Sequence, residues 1–279
     1  MPYHYLLDAA HRATLDQWAH DTTLFVFDYD GTLAPIVDDP EQAHMAPETQ
    51  RALTALATQA RVAVVSGRAC ADLKSRLPSQ LRYVVGNHGN EGLPKNMGNT
   101  EEMTRQCTIW HRQILADKVL WQDAEGALFE NKGPSLSLHY RNCVNPAIAR
   151  SRMLASVARL NPAPRVIRGT CVINLLPYQA RTKRDAIESL MQDSGCERVV
   201  VIGDDITDEL AFQGAPDNWL TVRVGACVHS EARFRLHDID QVTKLLQYLA
   251  HDRGASGGES RGGNDSENGV QARMSAGYV

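Results

Sequence analysis

The stretch "FVFDYDGTLAPI" (residues 25–36) places two acidic residues directly after a run of apolar ones. In an extended chain, residues two apart point to the same side, so Asp28 and Asp30 are expected to face one way where a strand ends. Two carboxylates this close repel each other unless they share a proton or bind a cation. The alternative is that Asp30 only starts a turn, as Asp-Gly pairs often do, and the short motif alone does not decide between the two.

A second acidic motif, "VVVIGDDITDE" (residues 199–209), also follows an apolar run. If both runs are strands of one parallel sheet, their carboxyl ends meet at the edge where open α/β sheets bind ligands. Several carboxylates without basic neighbours favour a hard divalent cation, and oxygen ligands of this kind suit Mg²⁺. The two motifs together therefore predict a metal site in preference to a solvated acidic turn.

Two further residues suit the binding of a phosphate group. Ser66 follows the apolar run "VAVV" and offers a hydroxyl beside backbone N–H groups at a helix start, a setting that favours an anion. Lys183, in "ARTKRDAI", stands at another helix start, where a cation opposes the helix dipole unless an anion compensates it. Each has a plainer alternative, because a serine before glycine is commonly a helix cap and a lone lysine is commonly a solvated surface residue.

The elements that must position these residues alternate between strands and helices. Buried strands are predicted at "LFVFD", "VAVVSG", "YVVGNHG", "RVVVIGDD" and "WLTVRVG", with helices between them and a first helix over residues 5–18. This order predicts an α/β fold with a doubly wound, Rossmann-like parallel sheet. We expect a core of residues 1–94 and 179–252, interrupted by a smaller α/β cap domain at 95–178. Residues 253–279 are rich in glycine and lack Leu, Ile and Phe, which predicts a disordered tail.

Composition limits the classes of partner. The 279 residues carry a net charge of −4, so no overall positive field would attract nucleic acid or an anionic membrane. No apolar run approaches the roughly 20 residues of a membrane-spanning helix, and the N-terminus lacks the pattern of a secretion signal. We therefore expect a cytoplasmic monomer that acts on a small molecule. The six cysteines are far apart and are expected to be buried thiols.

In order and spacing, the motifs at Asp28, Ser66, Lys183 and Asp204 resemble those of the haloacid-dehalogenase superfamily of phosphohydrolases. Within it, the segments "DYDGTLAPI", "SGR", "GNHGNEG", "ENKGPSLSLHYR" and "GDDITDE" are similar to those of the trehalose-6-phosphate phosphatases. The resemblance covers about residues 22–250. It implies a Mg²⁺-dependent phosphatase that hydrolyses trehalose 6-phosphate, the last step of trehalose biosynthesis, through an aspartyl-phosphate intermediate.

The resemblance also implies the roles of the residues in the core. Asp28 would attack phosphorus, while Asp30 would protonate the departing sugar oxygen and later deprotonate the attacking water. Ser66 and Lys183 would stabilise the transferring phosphoryl group. The implied ligands of Mg²⁺ are the side chain of Asp28, the main-chain carbonyl of Asp30 and the side chain of Asp204, with Asp205 and Asp208 in support.

The inserted domain is implied to recognise the sugar. Glu130 and Lys132, two apart on one strand, would hydrogen-bond hydroxyls of the distal sugar, although a cross-strand ion pair on a wet surface is the alternative. Three more residues are implied to lie near the sugar where the two domains meet: Arg68, His88 and Glu91. Two residues of "HYR", His139 and Arg141, are instead expected to pack and to form ion pairs.

One predicted strand, "VINLLP", departs from the family pattern, because Asn174 stands where glutamate is usual. An amide still binds a hydroxyl, but it loses the stronger, charge-assisted hydrogen bond. Other glycosyl phosphates, such as glucosylglycerol phosphate, mannosyl phosphoglycerate or sucrose phosphate, therefore stay open as substrates. A catalytically silent sugar-phosphate sensor is the alternative outside enzymes, and the presence of both aspartates of the first motif favours catalysis over it.

Overall fold

The structure is a computed structural model that describes residues 4–93, 100–117, 124–169, 171–227 and 229–256. In chain order, its helices are α1 (Arg12–Trp18), α2 (Pro47–Gln59), α3 (Cys70–Arg76), α4 (Thr100–Ala116), α5 (Pro146–Val157), α6 (Lys183–Ser194), α7 (Ile206–Phe212) and α8 (Ile239–Ser256). Its strands are β1 (Thr23–Phe27), β2 (Arg61–Val65), β3 (Tyr83–Val85), β4 (Leu128–Asn131), β5 (Leu136–His139), β6 (Arg165–Gly169), β7 (Val172–Leu176), β8 (Arg198–Gly203), β9 (Trp219–Val224) and β10 (Phe234–Leu236).

A six-stranded parallel sheet in the order β10-β9-β8-β1-β2-β3 confirms the doubly wound α/β fold predicted from the sequence. Strand β1 lies between β8 and β2, and all five of its residues are buried, which explains why its sequence is apolar without a break. The carboxyl ends of these three strands meet at one edge of the sheet. Asp28, Ser66 and Asp204 directly follow them and are thereby brought to that edge.

Helices cover both faces of this sheet, because alternate residues of β1 point to opposite sides. Phe25 and Phe27 pack in a cluster with side chains of α2 and α8, whereas Leu24 and Val26 pack in a second cluster with side chains of α6 and α7. The central strand is therefore fixed from both sides, and so is the position of the residue that follows it.

The chain between β3 and α6 forms a second sheet, which is antiparallel and has the order β4-β5-β7-β6. We call its described residues the insertion: 100–117, 124–169 and 171–176. One face of this sheet packs against α4 and α5 around the buried Trp110. The opposite face carries a row of polar side chains, because Glu130 pairs with Ser137 and Ser137 with Asn174 in the register of the strands.

Three segments differ from the sequence-based predictions. The first α-helix begins only at Arg12, because Tyr5 forms a parallel bridge with Arg235 and the residues Ala9–His11 form a short 3-10 helix. Strand β10, next to that bridge, has no counterpart among the predicted strands. The last helix continues to Ser256, into the segment predicted to be a disordered tail, and the rest of that segment, residues 257–279, lies outside the described residues.

Four of the six cysteines are buried as expected, namely Cys70, Cys107, Cys143 and Cys196, whereas Cys171 and Cys227 are partly exposed. Burial raises the pKa of the Cys107 thiol to about 12, which makes it an inert core residue rather than a reactive one. Among the helices that the structure describes, none has both the length and the apolar character needed to cross a membrane.

Phe25→Ala removes a fully buried ring from the central strand and is expected to lower the free energy of unfolding by about 3–5 kcal/mol. Tyr178→Ala is the matched control, because its ring is 86% exposed and its removal is expected to change the same quantity by less than about 0.5 kcal/mol. Urea denaturation followed by circular dichroism measures both variants. Similar losses in the two would contradict the buried position of β1.

Candidate active site

A buried lysine joins two aspartates at the edge of the parallel sheet. The Lys183 Nζ atom lies 2.8 Å from Asp28 Oδ1 and 2.8 Å from Asp208 Oδ1. The side chains of Lys183, Asp28 and Asp208 are only 3%, 6% and 3% exposed, respectively. Lys183 is the first residue of α6, where Thr182 and Asp185 form a reciprocal capping box that fixes the helix start. The amine is therefore held in place by the helix end and compensates the charge of both carboxylates.

Asp204 completes a cluster of three acids. One carboxylate oxygen from each of Asp28, Asp204 and Asp208 lies within 4.8 Å of the others, and the Thr32 hydroxyl donates to Asp204 Oδ1 at 3.2 Å. The Asp204 carboxylate occupies the space above Gly31, since a Cβ atom built there would meet Asp204 Oδ2 at 2.0 Å. With a φ of +81°, this position also favours glycine by its backbone. Because Gly31 has no side chain, the Asp204 carboxylate can lie directly against the first motif.

Burial and the repulsion of neighbouring acids raise the pKa values of Asp28 and Asp204. Burial raises the pKa of Asp204 to about 7, with Asp208 adding to the effect. The pKa of Asp28 is raised well above its usual value, chiefly by burial, which outweighs the attraction of Lys183. Burial alone would lower the pKa of Lys183, but Asp208 and Asp28 raise it, so the amine stays charged. One cation faces three acids, and this surplus of oxygen ligands fits a hard divalent cation such as Mg²⁺.

Asp205, named from the sequence among the metal ligands, caps helix α7, and its contact with a metal ion stays a prediction. Its Oδ1 atom accepts from the Ile206 N–H at 2.6 Å, while its own N–H donates to Asp208 Oδ2 at 3.1 Å. Asp208 was expected, like Asp205, to support the site, and it is the one of the two whose carboxylate lies near those of Asp28 and Asp204. Two acids separated by two residues at a helix start are typical of a capping box, so the sequence could have indicated that Asp205 caps α7.

The carboxylate of Asp30 is engaged by Arg68. The Arg68 Nε atom donates to Asp30 Oδ2 at 2.6 Å and one of its terminal nitrogens donates to Asp30 Oδ1 at 2.7 Å. Asp30 is also more accessible than Asp28, with 36% of its side chain exposed. The first motif therefore places a deeply buried carboxylate, Asp28, two residues before a partly exposed one, Asp30. The main-chain carbonyl of Asp30 stays a predicted metal ligand.

Ser66 lies at the end of β2, one strand away from Asp28. It is buried, and its Oγ atom accepts from the backbone N–H of Arg68 at 3.3 Å. Its carbonyl accepts from the backbone N–H of His88 at 2.9 Å, which ties the loop after β2 to the loop after β3. The Ser66 hydroxyl and the backbone N–H groups of the loop after β2 therefore lie at the same sheet edge as the acids.

The insertion reaches this edge through Lys132. The Lys132 Nζ atom donates to the carbonyl of Gly67 at 3.1 Å and lies 3.5 Å from Glu130 Oε2. Glu130 also binds His139 Nε2 at 3.0 Å. Burial acts to raise the pKa of Glu130, but His139 and Lys132 lower it, so the carboxylate is ionised. His139 was expected only to pack and to form ion pairs; its position in register beside the polar row could have suggested that it orients Glu130.

Asn174 lies in the middle of the polar row and is 6% exposed. Its Oδ1 atom accepts from the Ser137 hydroxyl at 2.7 Å. A Cβ atom added at Gly169 would lie 3.9 Å from Asn174 Nδ2 and 3.5 Å from Asp205 Oδ2, so the insertion and the acidic loop border the same glycine. The polar row of the insertion therefore faces the acidic loop of the parallel sheet across a narrow gap.

His88 is a buried imidazole in a left-handed backbone position, with a φ of +57°. Its ring lies against Gly67, where a Cβ atom would approach its Cε1 at 2.5 Å. The Nδ1 atom has no hydrogen-bond partner among the described residues. Burial, with the charges of Lys132 and Lys183, lowers the pKa of His88 well below its usual value, so the ring is neutral.

Glu91 has a structural position within the same loop. Its Oε2 atom accepts from the backbone N–H of Cys70 at 2.9 Å and from Asn87 Nδ2 at 2.8 Å. These bonds link the loop after β3 to the start of α3. A contact between Glu91 and the sugar stays a prediction.

The parallel sheet with an inserted antiparallel sheet, and acids at the ends of β1 and β8, define a fold of the haloacid-dehalogenase class. The C-terminal domain of trehalose-6-phosphate phosphatase from Candida albicans has a similar fold, with a TM-score of 0.67 and 22% sequence identity over 90% of this chain and 98% of that domain.

The sequence model of the trehalose-phosphatase family matches residues 26–240. Trehalose-phosphate phosphatase from Mycobacterium avium is 34% identical over 196 residues, which are 67% of this chain and 49% of the relative. An uncharacterized glycosyl hydrolase from Mycobacterium tuberculosis is 32% identical over 242 residues, which are 81% of this chain and 18% of that protein. The chain belongs to the trehalose-phosphatase family, which confirms the resemblance seen in the sequence. It spans about half or less of the length of these two relatives.

The raised pKa of Asp204 predicts a pH-dependent stability of the metal-free protein. Because the pKa rises from 3.8 to about 7 on folding, the folded state holds the proton more tightly than the unfolded chain. The contribution of Asp204 to stability is therefore complete below about pH 4 and is lost as the pH rises towards 7, at up to about 1.4 kcal/mol per pH unit.

Urea denaturation at several pH values, with a chelator present, measures this slope. Asp204→Asn should make the slope shallower, whereas Asp38→Asn, at a side chain that is 87% exposed, should leave it unchanged. Equal slopes in wild type and in Asp204→Asn would show that the carboxylate is not buried as described.

Proposed function

We propose that this chain is a phosphatase that hydrolyses trehalose 6-phosphate to trehalose and inorganic phosphate, with Asp28 as the nucleophile. The observation that carries the proposal is the pairing of buried Asp28 with Lys183 at 2.8 Å, beside two further carboxylates and opposite the polar face of the insertion. Membership of the trehalose-phosphatase family supports the substrate.

A divalent cation is part of the proposal. Asp28, Asp204 and Asp208 together offer it three carboxylate oxygens, and burial raises the pKa values of Asp28 and Asp204, with neighbouring acids adding to the effect. When bound, Mg²⁺ would neutralise charge on the phosphate that otherwise repels an attacking carboxylate. Asp205 supports the site indirectly, since it caps α7 and thereby orients Asp208.

The reaction divides into two steps between two carboxylates. In the first, an Asp28 oxygen forms a bond to phosphorus, the bond from phosphorus to the sugar oxygen breaks, and Asp30 gives its proton to that oxygen. In the second, Asp30 takes a proton from a water molecule, which attacks phosphorus and frees Asp28. The accessible position of Asp30, 36% exposed, suits an exchange of protons with the leaving group and with water.

Lys183 and Ser66 hold the phosphoryl group in this proposal. The Lys183 amine is buried, charged and adjacent to Asp28, so it faces the oxygens of a phosphate bound there. The Ser66 hydroxyl, at the end of the neighbouring strand, adds a donor on another side. Both groups are fixed before the substrate arrives, so little reorganisation is needed during the reaction.

The sugar would be bound between the insertion and the parallel sheet. Glu130 and Lys132 offer an ionised acceptor and a donor, and the neutral His88 offers an uncharged ring near Lys132. Glu91 and Arg68 are predicted to border the same space. These groups can each bind hydroxyls, which a disaccharide presents in large numbers.

A second candidate is a phosphatase for another glycosyl phosphate, and Asn174 favours it. The Oδ1 atom of this amide is already occupied by Ser137, so mainly the NH₂ group remains to face the substrate. A group that accepts a hydrogen bond there, such as a glycerate carboxylate, would suit this donor as well as a sugar hydroxyl does. The two candidates share the chemistry at Asp28 and differ only in the sugar.

A panel of sugar phosphates with and without Mg²⁺ tests the proposal. We expect phosphate release from trehalose 6-phosphate to exceed that from glucose 6-phosphate, sucrose 6-phosphate and glucosylglycerol phosphate, and to stop on removal of Mg²⁺. Asp28→Asn should reduce release by at least about 10³-fold without loss of folding, while Asp21→Asn, at an exposed residue before β1, should not.

The outcomes separate the candidates. Faster release from another member of the panel would favour the second candidate. Tight binding of trehalose 6-phosphate without any Mg²⁺-dependent release from the panel would refute both and indicate a silent sensor.

A further inference from the structure

The Arg68 guanidinium bridges two carboxylates, only one of which belongs to the proposed reaction. Besides its two bonds to Asp30, it donates to Asp72 Oδ2 at 2.8 Å and to the carbonyl of Pro40 at 2.9 Å. The Arg68 side chain is 11% exposed, so these contacts form largely away from solvent. The guanidinium plane is thus fixed on several sides.

Asp72 is in turn anchored on a rigid element. It lies in the first turn of α3, and its second oxygen accepts from Arg76 Nε at 2.7 Å. Arg76 is 5% exposed and also donates to the carbonyls of Glu41 and Ala43 at 3.1 and 3.2 Å. Burial acts to raise the pKa of Asp72, but hydrogen bonds from Arg68 and Arg76 lower it, so the carboxylate is charged.

Asp30 forms an isolated β-bridge with Ala34 just before the turn, and its side chain is partly exposed. Both of its oxygens accept from Arg68, which makes the orientation of the carboxylate follow that of the guanidinium. A long arginine held by one carboxylate alone would move together with it. The contact with Asp72 provides the fixed point that prevents this movement, because Asp72 is attached to a helix.

We propose that Asp72 is a positioning residue that directs the Asp30 carboxylate towards the leaving oxygen by holding Arg68. The inference rests on the proposed function, in which Asp30 gives its proton to the sugar oxygen as the bond from phosphorus to that oxygen breaks. Asp72 touches neither the substrate nor phosphorus in this scheme. Its effect is on the rate of the step that needs a correctly directed acid.

Asp72→Asn tests the inference through kcat, KM and a double-mutant cycle. With trehalose 6-phosphate, we expect kcat to fall about tenfold and KM to stay within about twofold, because the proton donor and not the binding of substrate is disturbed. In an Arg68→Met background the same substitution should change kcat by less than about twofold, since the guanidinium that links Asp72 to Asp30 is already absent. Asp217→Asn, which removes an exposed aspartate paired with Arg233, is the control and should leave kcat unchanged.

The leaving group provides a second measurement. p-Nitrophenyl phosphate releases a phenolate that needs no proton, and kcat/KM reports only the steps up to its departure. In Asp72→Asn this ratio should therefore fall by less than about twofold, against about tenfold for trehalose 6-phosphate. A merely structural role for Asp72 would reduce the amount of active protein and lower both rates by the same factor. Equal losses with the two substrates, or independent losses in the cycle, would overturn the inference.

These outcomes are distinct from failure of the proposed function. A wild-type protein without Mg²⁺-dependent release from any sugar phosphate would refute that function, and with it the basis of the inference. An active wild type with an equally active Asp72→Asn variant would refute the inference alone.

Discussion

The compensation of buried negative charge by Lys183 is the interaction on which the site depends. Two carboxylates, Asp28 and Asp208, share this one amine at 2.8 Å, and all three groups are almost completely removed from water. Without the amine, each buried carboxylate would cost several kcal/mol of desolvation without a partner. With it, Asp28 lies beside a fixed cation, at the position where the proposed function places the bound phosphate.

The fold supplies this arrangement from separate parts of the chain. Strand β1 is buried on both faces and delivers Asp28, while two helix starts with reciprocal caps deliver Lys183 and Asp208. The insertion adds donors and acceptors from the opposite side, and contacts such as that between Ser135 Oγ and Asn87 Oδ1, at 2.9 Å, join it to the parallel sheet. The proposed function therefore assigns phosphate chemistry to the parallel sheet and sugar recognition to the antiparallel one.

The parts of this account that could be predicted from the sequence are those with a local cause. Unbroken apolar runs that end in acids indicated buried parallel strands, and hence that Asp28 and Asp204 would lie at one edge. The contact of the Asp208 carboxylate with Lys183 was not predicted, although the capping-box spacing from Asp205 to Asp208 is present in the sequence. The bridge from Tyr5 to Arg235 could not be predicted, since it joins distant parts of the chain and has no local signal. The same holds for the link from Asp72 through Arg68 to Asp30, which depends on how α3 packs beside the first motif.

The central claim is that Asp28 accepts the phosphoryl group. Rapid acid quenching of the protein during turnover of trehalose 6-phosphate with Mg²⁺, followed by mass spectrometry of its peptides, tests this claim most directly. The account predicts one additional phosphoryl group on the peptide that contains Asp28, present during turnover and absent after the substrate is consumed. Continued turnover with no phosphorylated peptide, or with the phosphoryl group on another residue, would contradict it.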